Sequence, residues 1–245
     1  MAVCEMMDTM TGFEFSFRGK KCLILPSGAL FWPNESLLCV SDLHLGKSAR
    51  IARRGGAILP PYETRDTLDR LARDIAITQA HCVVSLGDGF DDVTAAHDLP
   101  AQAMQQLATL TTGRDWIWIA GNHDPGPTHH GGIHVAEFIR GPLTFRHIAQ
   151  PSQAAEISGH YHPKVHMRVR GRTLHHRCVL VNRDRIVLPA YGTYTGGMPH
   201  NHPVLSTLIP PPGRAIVLTG GGAIPVAIPL VANTDTTAVG DGNTI

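Results

Sequence analysis

Four polar clusters, each directly after an apolar segment typical of a β-strand, constrain the fold of this chain more than any other feature. They are Asp42-Leu43-His44, Gly87-Asp88, Gly121-Asn122-His123-Asp124 and Gly159-His160-Tyr161-His162. Each cluster is expected at the C-terminal end of its strand. Together they offer carboxylate, amide and imidazole donors, a mixed oxygen and nitrogen set that divalent transition metals accept. The four clusters in this order therefore predict one shared metal site.

The segments that precede the first three clusters alternate with two helical patterns. Apolar runs at 37–40, 81–86 and 115–120 predict strands, and amphipathic patterns at 64–78 and 99–110 predict helices. A strand–helix–strand–helix–strand order favours parallel pairing, and ligands of such sheets bind beyond the carboxyl ends of the strands. The polar clusters fall at those ends.

Beyond residue 130 the pattern changes to short strands with few helical signals. These are expected at 133–139, 143–148, 155–158, 165–169, 178–181 and 186–188, with a late hairpin at 215–218 and 223–228. A second sheet packed on the first gives a two-sheet α/β sandwich. We expect a single domain over residues 1–232 and a disordered Thr-, Asp- and Gly-rich tail at 233–245.

Composition narrows the class of protein without deciding its function. The 245 residues are 43% hydrophobic, no run approaches the roughly 18 apolar residues of a membrane helix, and the start lacks the order of a secretion signal. Five cysteines without a CxxC pair predict buried thiols in a reducing compartment. The expectation is a cytoplasmic protein with no membrane partner. A net charge of +1 gives no general case for binding nucleic acid.

The residue types in the clusters suit a two-metal phosphoester hydrolase. Two metals about 3.5–4 Å apart can activate a water and neutralise charge on phosphoryl oxygens. Asp88 is the candidate bridging carboxylate, since Gly87 beside it allows a tight turn. In an extended segment, Asp42 and His44 would point to the same side and could reach one ion.

The remaining cluster residues complete the candidate site. His160 and His162 have the same two-residue spacing as Asp42 and His44 and could each serve a different ion. Asn122 can ligate only through its amide oxygen. His123 is placed to give a proton to the departing alkoxide, with Asp124 as the group that could orient it.

The ordered motifs, which run from about Leu37 to His162, resemble those of the calcineurin-like metallophosphoesterase superfamily. The resemblance implies a two-sheet α/β sandwich, a dinuclear centre with a metal-bridging hydroxide as nucleophile, and His123 as the proton donor. One metal would be held by Asp42, His44, Asp88 and His162. The other would be held by Asp88, Asn122, a lone histidine and His160. Manganese is the expected metal, with iron and zinc as alternatives.

The lone histidine must lie between Gly121 and Gly159. His147 is preferred because it ends an apolar strand that begins at Leu143. Its rivals are His129, His130 and His134.

Further segments resemble the ligase-associated DNA damage response endonuclease branch of that superfamily. They are Ser41 to Lys47, Gly159 to Pro163, and Val187 to Gly197 with its Pro-Ala-Tyr-Gly run. This implies single-stranded DNA or a nucleotide as substrate, and a functional link to a DNA ligase and a helicase. One departure is Asp91, because members of that branch often carry histidine at this position.

Several features have an ordinary structural explanation beside the functional one. Lys47, Arg50, Arg53 and Arg54 could contact a phosphate backbone or form a solvated loop, and Arg168, Arg170 and Arg172 could form a basic stripe or an exposed strand face. Trp116 and Trp118 are expected in the core. Pro189 to Gly197 could line the mouth of the site or only connect strands. Asp91 and Asp92 are expected beside the ligands, not among them.

Three functions remain open at this point. The first is a metal-dependent phosphodiesterase or endonuclease. The second is a phosphomonoesterase or nucleotide pyrophosphohydrolase that uses the same centre. The third, a metal-binding scaffold without catalysis, is disfavoured because a full ligand set is present in the sequence.

Overall fold

The computed structural model describes residues 12–57, 59–124, 126–127, 129–150, 155–169 and 172–228. The expected tail at 233–245 and Arg170 lie outside these ranges, as do the side chains of Arg168 and Arg172. None of the helices in the described ranges is long and apolar enough to cross a membrane.

The first sheet has seven strands in sequential order and carries the first three polar clusters. Its strands are β1 (Phe13–Phe17), β2 (Lys20–Ile24), β3 (Leu30–Trp32), β4 (Leu37–Val40), β5 (Cys82–Ser85), β6 (Asp115–Ile119) and β7 (Ile133–Val135). Strands β1 to β4 pair antiparallel, and β4 to β7 pair parallel. The predicted parallel pairing of the first three cluster-bearing strands is therefore confirmed.

The second sheet carries the fourth cluster and runs in the order β15-β14-β12-β13-β10-β9-β8, with β11 paired to β12. Its strands are β8 (Glu137–Arg140), β9 (Leu143–Arg146), β10 (Glu156–Ser158), β11 (Lys164–Val169), β12 (Arg172–Val181), β13 (Arg185–Val187), β14 (Gly213–Thr219) and β15 (Gly222–Ile228). Strand β10 pairs parallel with both β9 and β13. This places the ends of β9 and β10 side by side.

Five α-helices occur in the described ranges: α1 (Lys47–Arg53), α2 (Glu63–Thr78), α3 (Val93–His97), α4 (Ala101–Thr111) and α5 (Pro203–Leu208). The sequence predicted α2 and α4 because each has an apolar face at helical spacing. Helix α1 was expected only as a basic stretch. Its seven residues are too few to give a clear periodic pattern, and no side-chain cap marks its start. Its basic side chains form ion pairs with residues distant in sequence.

Apolar side chains form three layers around the two sheets. One lies between the first sheet and helices α2 and α4, with Leu68, Leu71 and Leu107 among its residues. The second fills the space between the sheets, and the third packs α5 against the second sheet. Trp116 and Trp118 are buried in the first layer, as expected. The predicted two-sheet α/β sandwich is confirmed.

Candidate active site

The backbone turns sharply at most of the candidate ligands. Asp42, His44, Asp88, His160 and His162 all have positive φ values, between 46° and 70°. A non-glycine residue in this region costs about 1–3 kcal/mol, so surrounding contacts must maintain it. The segment that carries Asp42 and His44 is therefore not extended as expected, because both residues lie in the left-handed region, but their side chains do reach one common group of ligand atoms.

Gly87 is required by a close approach of two segments. Its φ is +75°, and a Cβ atom there would lie 2.5 Å from Nδ1 of His147. The space that glycine leaves lets the His147 ring approach the backbone, where its Nδ1 lies 2.7 Å from the carbonyl oxygen of Leu86. The tight turn predicted at Gly87 is present, and it brings Asp88 next to a histidine from the second sheet.

One group of candidate ligands comprises Asp42, His44 and His162, whose ligand atoms all lie within 4.8 Å of one another. Asp42 Oδ1 is 3.2 Å from His162 Nε2. These two atoms and His44 Nε2 are buried and form no hydrogen bond. Buried polar atoms without partners are costly. A carboxylate and two imidazoles arranged in this way fit a divalent cation, which would provide the missing interaction.

A second group comprises Asp88, His147 and His160, with ligand atoms again within 4.8 Å of one another. His147 Nε2 is 3.5 Å from Asp88 Oδ2, 3.2 Å from His160 Nδ1 and 2.9 Å from Asn122 Oδ1. Four nitrogen or oxygen donors thus converge, and these residues also fit a cation. The structure brings all seven candidate ligands together.

The two groups adjoin through Asp42. The backbone N–H of His160 donates to Asp42 Oδ2 at 2.9 Å, and the hydroxyl of Ser41 donates to the same oxygen. Asp42 Oδ1 is 3.9 Å from His147 Nδ1. A two-cation arrangement with neighbouring ions is therefore consistent with the positions of the side chains.

The rival histidines engage other residues. His130 Nε2 lies 2.6 Å from the carbonyl oxygen of Ala96, and its ring stacks on Phe90. His134 stacks on Trp118, and the ring of His129 lies near His97. Only His147 of the four belongs to a candidate metal-binding group in the described ranges.

Opposing influences determine the charge of Asp88. Burial raises the pKa of the Asp88 carboxyl group. The hydrogen bond and positive charge of His147 and the N–H of His123 together lower that pKa by more, to about 2. The His123 N–H donates to Asp88 Oδ1 at 2.9 Å. Asp88 is therefore ionised at neutral pH, as a cation ligand must be.

The ring of His123 is held by a group that the sequence did not indicate. Its Nδ1 lies 2.8 Å from the backbone carbonyl oxygen of Asp91, and its Nε2 is 4.0 Å from Asp88 Oδ2. A hydrogen bond to that carbonyl requires the proton on Nδ1, which leaves Nε2 facing the candidate metal site. Asn122 is exposed and His123 is partly exposed, so the site is open to solvent on this side.

Asp124 has a different environment from the one expected. Its Oδ2 accepts a hydrogen bond from the N–H of Phe90 at 3.0 Å. Burial raises the pKa of its carboxyl group to about 6, and the nearby charge of Asp88 adds to that effect. Within the described ranges no hydrogen bond joins Asp124 to the ring of His123. It holds the loop after Asp88, whereas the orienting contact comes from Asp91.

Asp91 and Asp92 neutralise most of the basic stretch in α1. Lys47 and Arg50 reach the carboxylate of Asp91 at 3.2 and 2.9 Å, and Arg53 reaches that of Asp92 at 2.9 Å. These pairs argue against an uncompensated basic surface on α1. Residues 47–53 therefore form a helix and not a loop, and three of the four basic side chains of the stretch are paired with carboxylates.

The segment Pro189 to Gly197 contacts the backbone of two candidate ligands. The N–H of Gly192 donates to the carbonyl oxygen of Asp42 at 3.0 Å, and a Cβ atom on Gly197 would lie 2.4 Å from the carbonyl oxygen of His162. Tyr191 is buried, and its hydroxyl donates to Asp74 Oδ2 at 2.8 Å. The segment therefore supports the turns that carry the ligands.

The buried carboxyl group of Asp74 is expected to make the stability of the protein depend on pH. Burial raises the pKa of the Asp74 carboxyl group in the folded protein. The stability linked to its protonation is therefore fully present below the pKa of the unfolded chain, and it is lost as pH rises through the pKa of the folded protein. Asp74→Asn keeps an acceptor for Tyr191 without the charge. We expect the unfolding free energy of Asp74→Asn, minus that of the unaltered protein, to become more positive as pH rises from 4 to 7. Urea denaturation at each pH measures this difference. Asp69→Asn, on the exposed side of α2, should show no such increase.

Comparisons with known proteins agree with this geometry. The family model for calcineurin-like phosphoesterases matches residues 36–183, which include every candidate ligand. The crystal structure of Pseudomonas putida nuclease MPE is 25% identical in sequence, with a TM-score of 0.70 over 88% of this chain and 100% of that one. A search of curated protein sequences gives no significant match.

A second solved structure is more distant. YfcE, a phosphoesterase from E. coli, is 13% identical, covers 78% of this chain and 98% of its own, and has a TM-score of 0.36. The family match spans more than half of the chain, and the nuclease matches nearly all of it. The resemblance drawn from the sequence motifs is confirmed, and the chain is a metal-dependent phosphoesterase that belongs to the calcineurin-like phosphoesterase family.

Proposed function

We propose that this protein hydrolyses phosphodiester bonds of nucleic acids or nucleotides at a centre of two divalent cations. Asp42, His44, Asp88 and His162 would hold one cation. Asp88, Asn122, His147 and His160 would hold the other. The observation that carries the proposal is the set of buried, unpartnered atoms at Asp42, His44 and His162, directly beside a second convergent donor group.

Two bound cations would supply an activated water and would neutralise charge on the phosphoryl oxygens. The side chains around them have separate tasks. Asp88, ionised and able to use both oxygens, is the proposed bridging ligand. His123, partly exposed and with Nε2 facing Asp88, would hold the proton that the departing alkoxide needs.

Manganese is the proposed cation, with iron and zinc as alternatives, because carboxylate, amide and imidazole donors together suit first-row divalent metals. The likeness to a nuclease supports a diester substrate, and single-stranded DNA is the form we propose. The implied link to a DNA ligase and a helicase stays a prediction, which the neighbouring genes can test.

A substrate panel tests the proposal. After EDTA treatment, the protein should be inactive, and manganese should restore hydrolysis of bis(p-nitrophenyl) phosphate and cleavage of single-stranded DNA. We expect p-nitrophenyl phosphate to be the poorer substrate at equal metal concentration. Efficient hydrolysis of the monoester, with no cleavage of either diester, would contradict the proposal and favour a phosphomonoesterase.

A further inference from the structure

We propose that the ring of Tyr194 stacks on a nucleobase of the substrate beside the metal centre, an inference that rests on the proposed function. Tyr194 lies in the segment Pro189 to Gly197, and it is 41% exposed. Within the part of the chain that the structure describes, its ring contacts no other aromatic ring and its hydroxyl makes no hydrogen bond. The ring is therefore available to a ligand.

The backbone on both sides of Tyr194 is attached to turns that carry candidate ligands. The N–H of Gly192 donates to the carbonyl oxygen of Asp42 at 3.0 Å, and the N–H of Met198 donates to the carbonyl oxygen of His162 at 3.1 Å. Because consecutive Cα atoms are about 3.8 Å apart, the Cα of Tyr194 lies within about 8 Å of that of Gly192. Tyr194 therefore lies where the chain passes from one ligand turn to the other.

Further hydrogen bonds hold this part of the segment in place. Arg70, from helix α2, donates to the carbonyl oxygen of Tyr191 at 3.1 Å and to the hydroxyl of Thr193 at 2.6 Å. The hydroxyl of Thr195 donates to the carbonyl oxygen of Gly192 at 2.9 Å. A side chain on a backbone that is already ordered loses little conformational freedom when it binds a ligand. This suits a ring that must bind a flexible single strand.

The backbone conformation of Tyr194 also indicates a role beyond the fold. Its φ is 63°, in the left-handed region that glycine adopts readily and a bulky side chain adopts only at a cost. The exposed ring recovers little of that cost through burial. Residues held in such conformations cluster at functional sites, so the presence of a tyrosine here favours a ligand contact.

Positive charge beside the segment favours a nucleic acid as that ligand. Lys164 Nζ lies 3.3 Å from the carbonyl oxygen of Thr195, and Arg177 Nη1 lies 3.0 Å from that of Ala190. Lys164 and Arg177 are direct partners across strands β11 and β12, and both are partly exposed. Neither forms an ion pair with a carboxylate in the described ranges, unlike the basic residues of α1.

An aromatic ring next to unpaired basic side chains is the usual arrangement for binding single-stranded nucleic acid. The cations attract the phosphate backbone, and the ring stacks on a base of any sequence. Tyr194 would thus hold a base near the scissile phosphate, whereas the metal centre acts on the phosphate itself. The predicted preference is for a strand that carries bases, without a preference for one sequence.

Two oligonucleotides of equal length test this role: oligodeoxythymidylate, and an abasic strand with a tetrahydrofuran residue at every position. Tyr194→Ala should lower kcat/KM for oligodeoxythymidylate about 5- to 150-fold, the usual effect of losing one stacked base. It should leave kcat/KM for the abasic strand nearly unchanged, because no base is present to stack. Tyr194→Phe retains the ring and should restore the preference for the strand with bases.

Tyr62→Ala is the matched control. Tyr62 is 67% exposed directly before helix α2, and its backbone hydrogen bonds join it to Pro60 and Asp66, not to a turn that carries a ligand. We expect kcat/KM of Tyr62→Ala to equal that of the unaltered protein on both oligonucleotides.

A second variant keeps the test decisive if Tyr194→Ala disturbs the segment. Tyr194→Gly accepts the positive φ without strain, so it should fold and bind manganese normally, yet show the same selective loss on oligodeoxythymidylate. Equal cleavage of both oligonucleotides by the unaltered protein, an equal effect on both in the folded Tyr194 variants, or the same selective loss in Tyr62→Ala would overturn the inference alone. An unaltered protein that cuts neither oligonucleotide in manganese would overturn the proposed function itself.

Discussion

Asp88→Asn is expected to lower phosphodiester turnover by about 10³-fold or more, which corresponds to roughly 4 kcal/mol of lost transition-state stabilisation. Asparagine has nearly the same shape as aspartate but offers one oxygen and no charge. It can accept the hydrogen bond from the N–H of His123 and so preserve the turn, yet it cannot bridge two cations with two anionic oxygens.

The metal content provides the second measurement for Asp88→Asn. After gel filtration in manganese, we expect fewer than two ions per chain by elemental analysis, whereas the unaltered protein should retain two. Asp115→Asn, at the exposed start of strand β6, is the control and should match the unaltered protein in both turnover and metal content. Full activity in Asp88→Asn would exclude Asp88 as the bridging ligand.

His123→Ala is expected to lower turnover by about 10²- to 10⁴-fold while leaving the metal content intact. In the described ranges the His123 ring donates no hydrogen bond to a candidate ligand: its Nε2 is 4.0 Å from Asp88 Oδ2, and it meets the ring of His44 edge to face, with ring centroids 5.2 Å apart. Its backbone N–H, which donates to Asp88, is preserved in the variant. The metal centre should therefore assemble normally, and the loss should come from the missing proton.

The leaving group distinguishes proton donation from a structural effect of His123. A p-nitrophenolate departs without a proton, so His123→Ala should affect that diester least, and a DNA phosphodiester with its alkoxide leaving group most. His81→Ala, at an exposed position before strand β5, serves as the histidine control. An equal loss on all substrates, or no loss on any of them, would contradict the role of His123 as proton donor.

Much of this architecture could be predicted from local patterns. The strands before Asp42, Asp88 and Asn122 are continuous apolar runs, and α2 and α4 show clear helical spacing, so the sandwich fold followed from periodicity. The short helices α1, α3 and α5 did not, because five to seven residues give too little periodic signal. Contacts with residues distant in sequence, such as Lys47 with Asp91, hold α1 in place.

The candidate site also has one part that the sequence indicates and another part that only contacts in the folded protein reveal. Motif order alone supplied Asp42, His44, Asp88, Asn122, His160 and His162, because each follows a strand and carries a donor side chain. The apolar strand before His147 favoured it over its rivals, but the sequence did not show which segment it contacts, nor that Asp91, and not Asp124, contacts the ring of His123. Both answers depend on contacts between segments, such as that of His147 with Leu86, 61 residues apart.

The sequence by itself determined which donors are available, in what order, and at which strand ends, because strand periodicity and side-chain chemistry are local properties. Only the tertiary structure decided how those donors converge. The left-handed turns at Asp42 and His44 are maintained by hydrogen bonds to the Gly87–Asp88 segment, and the close approach of His147 to Gly87 joins the two sheets; these contacts between segments maintain conformations that are costly in isolation.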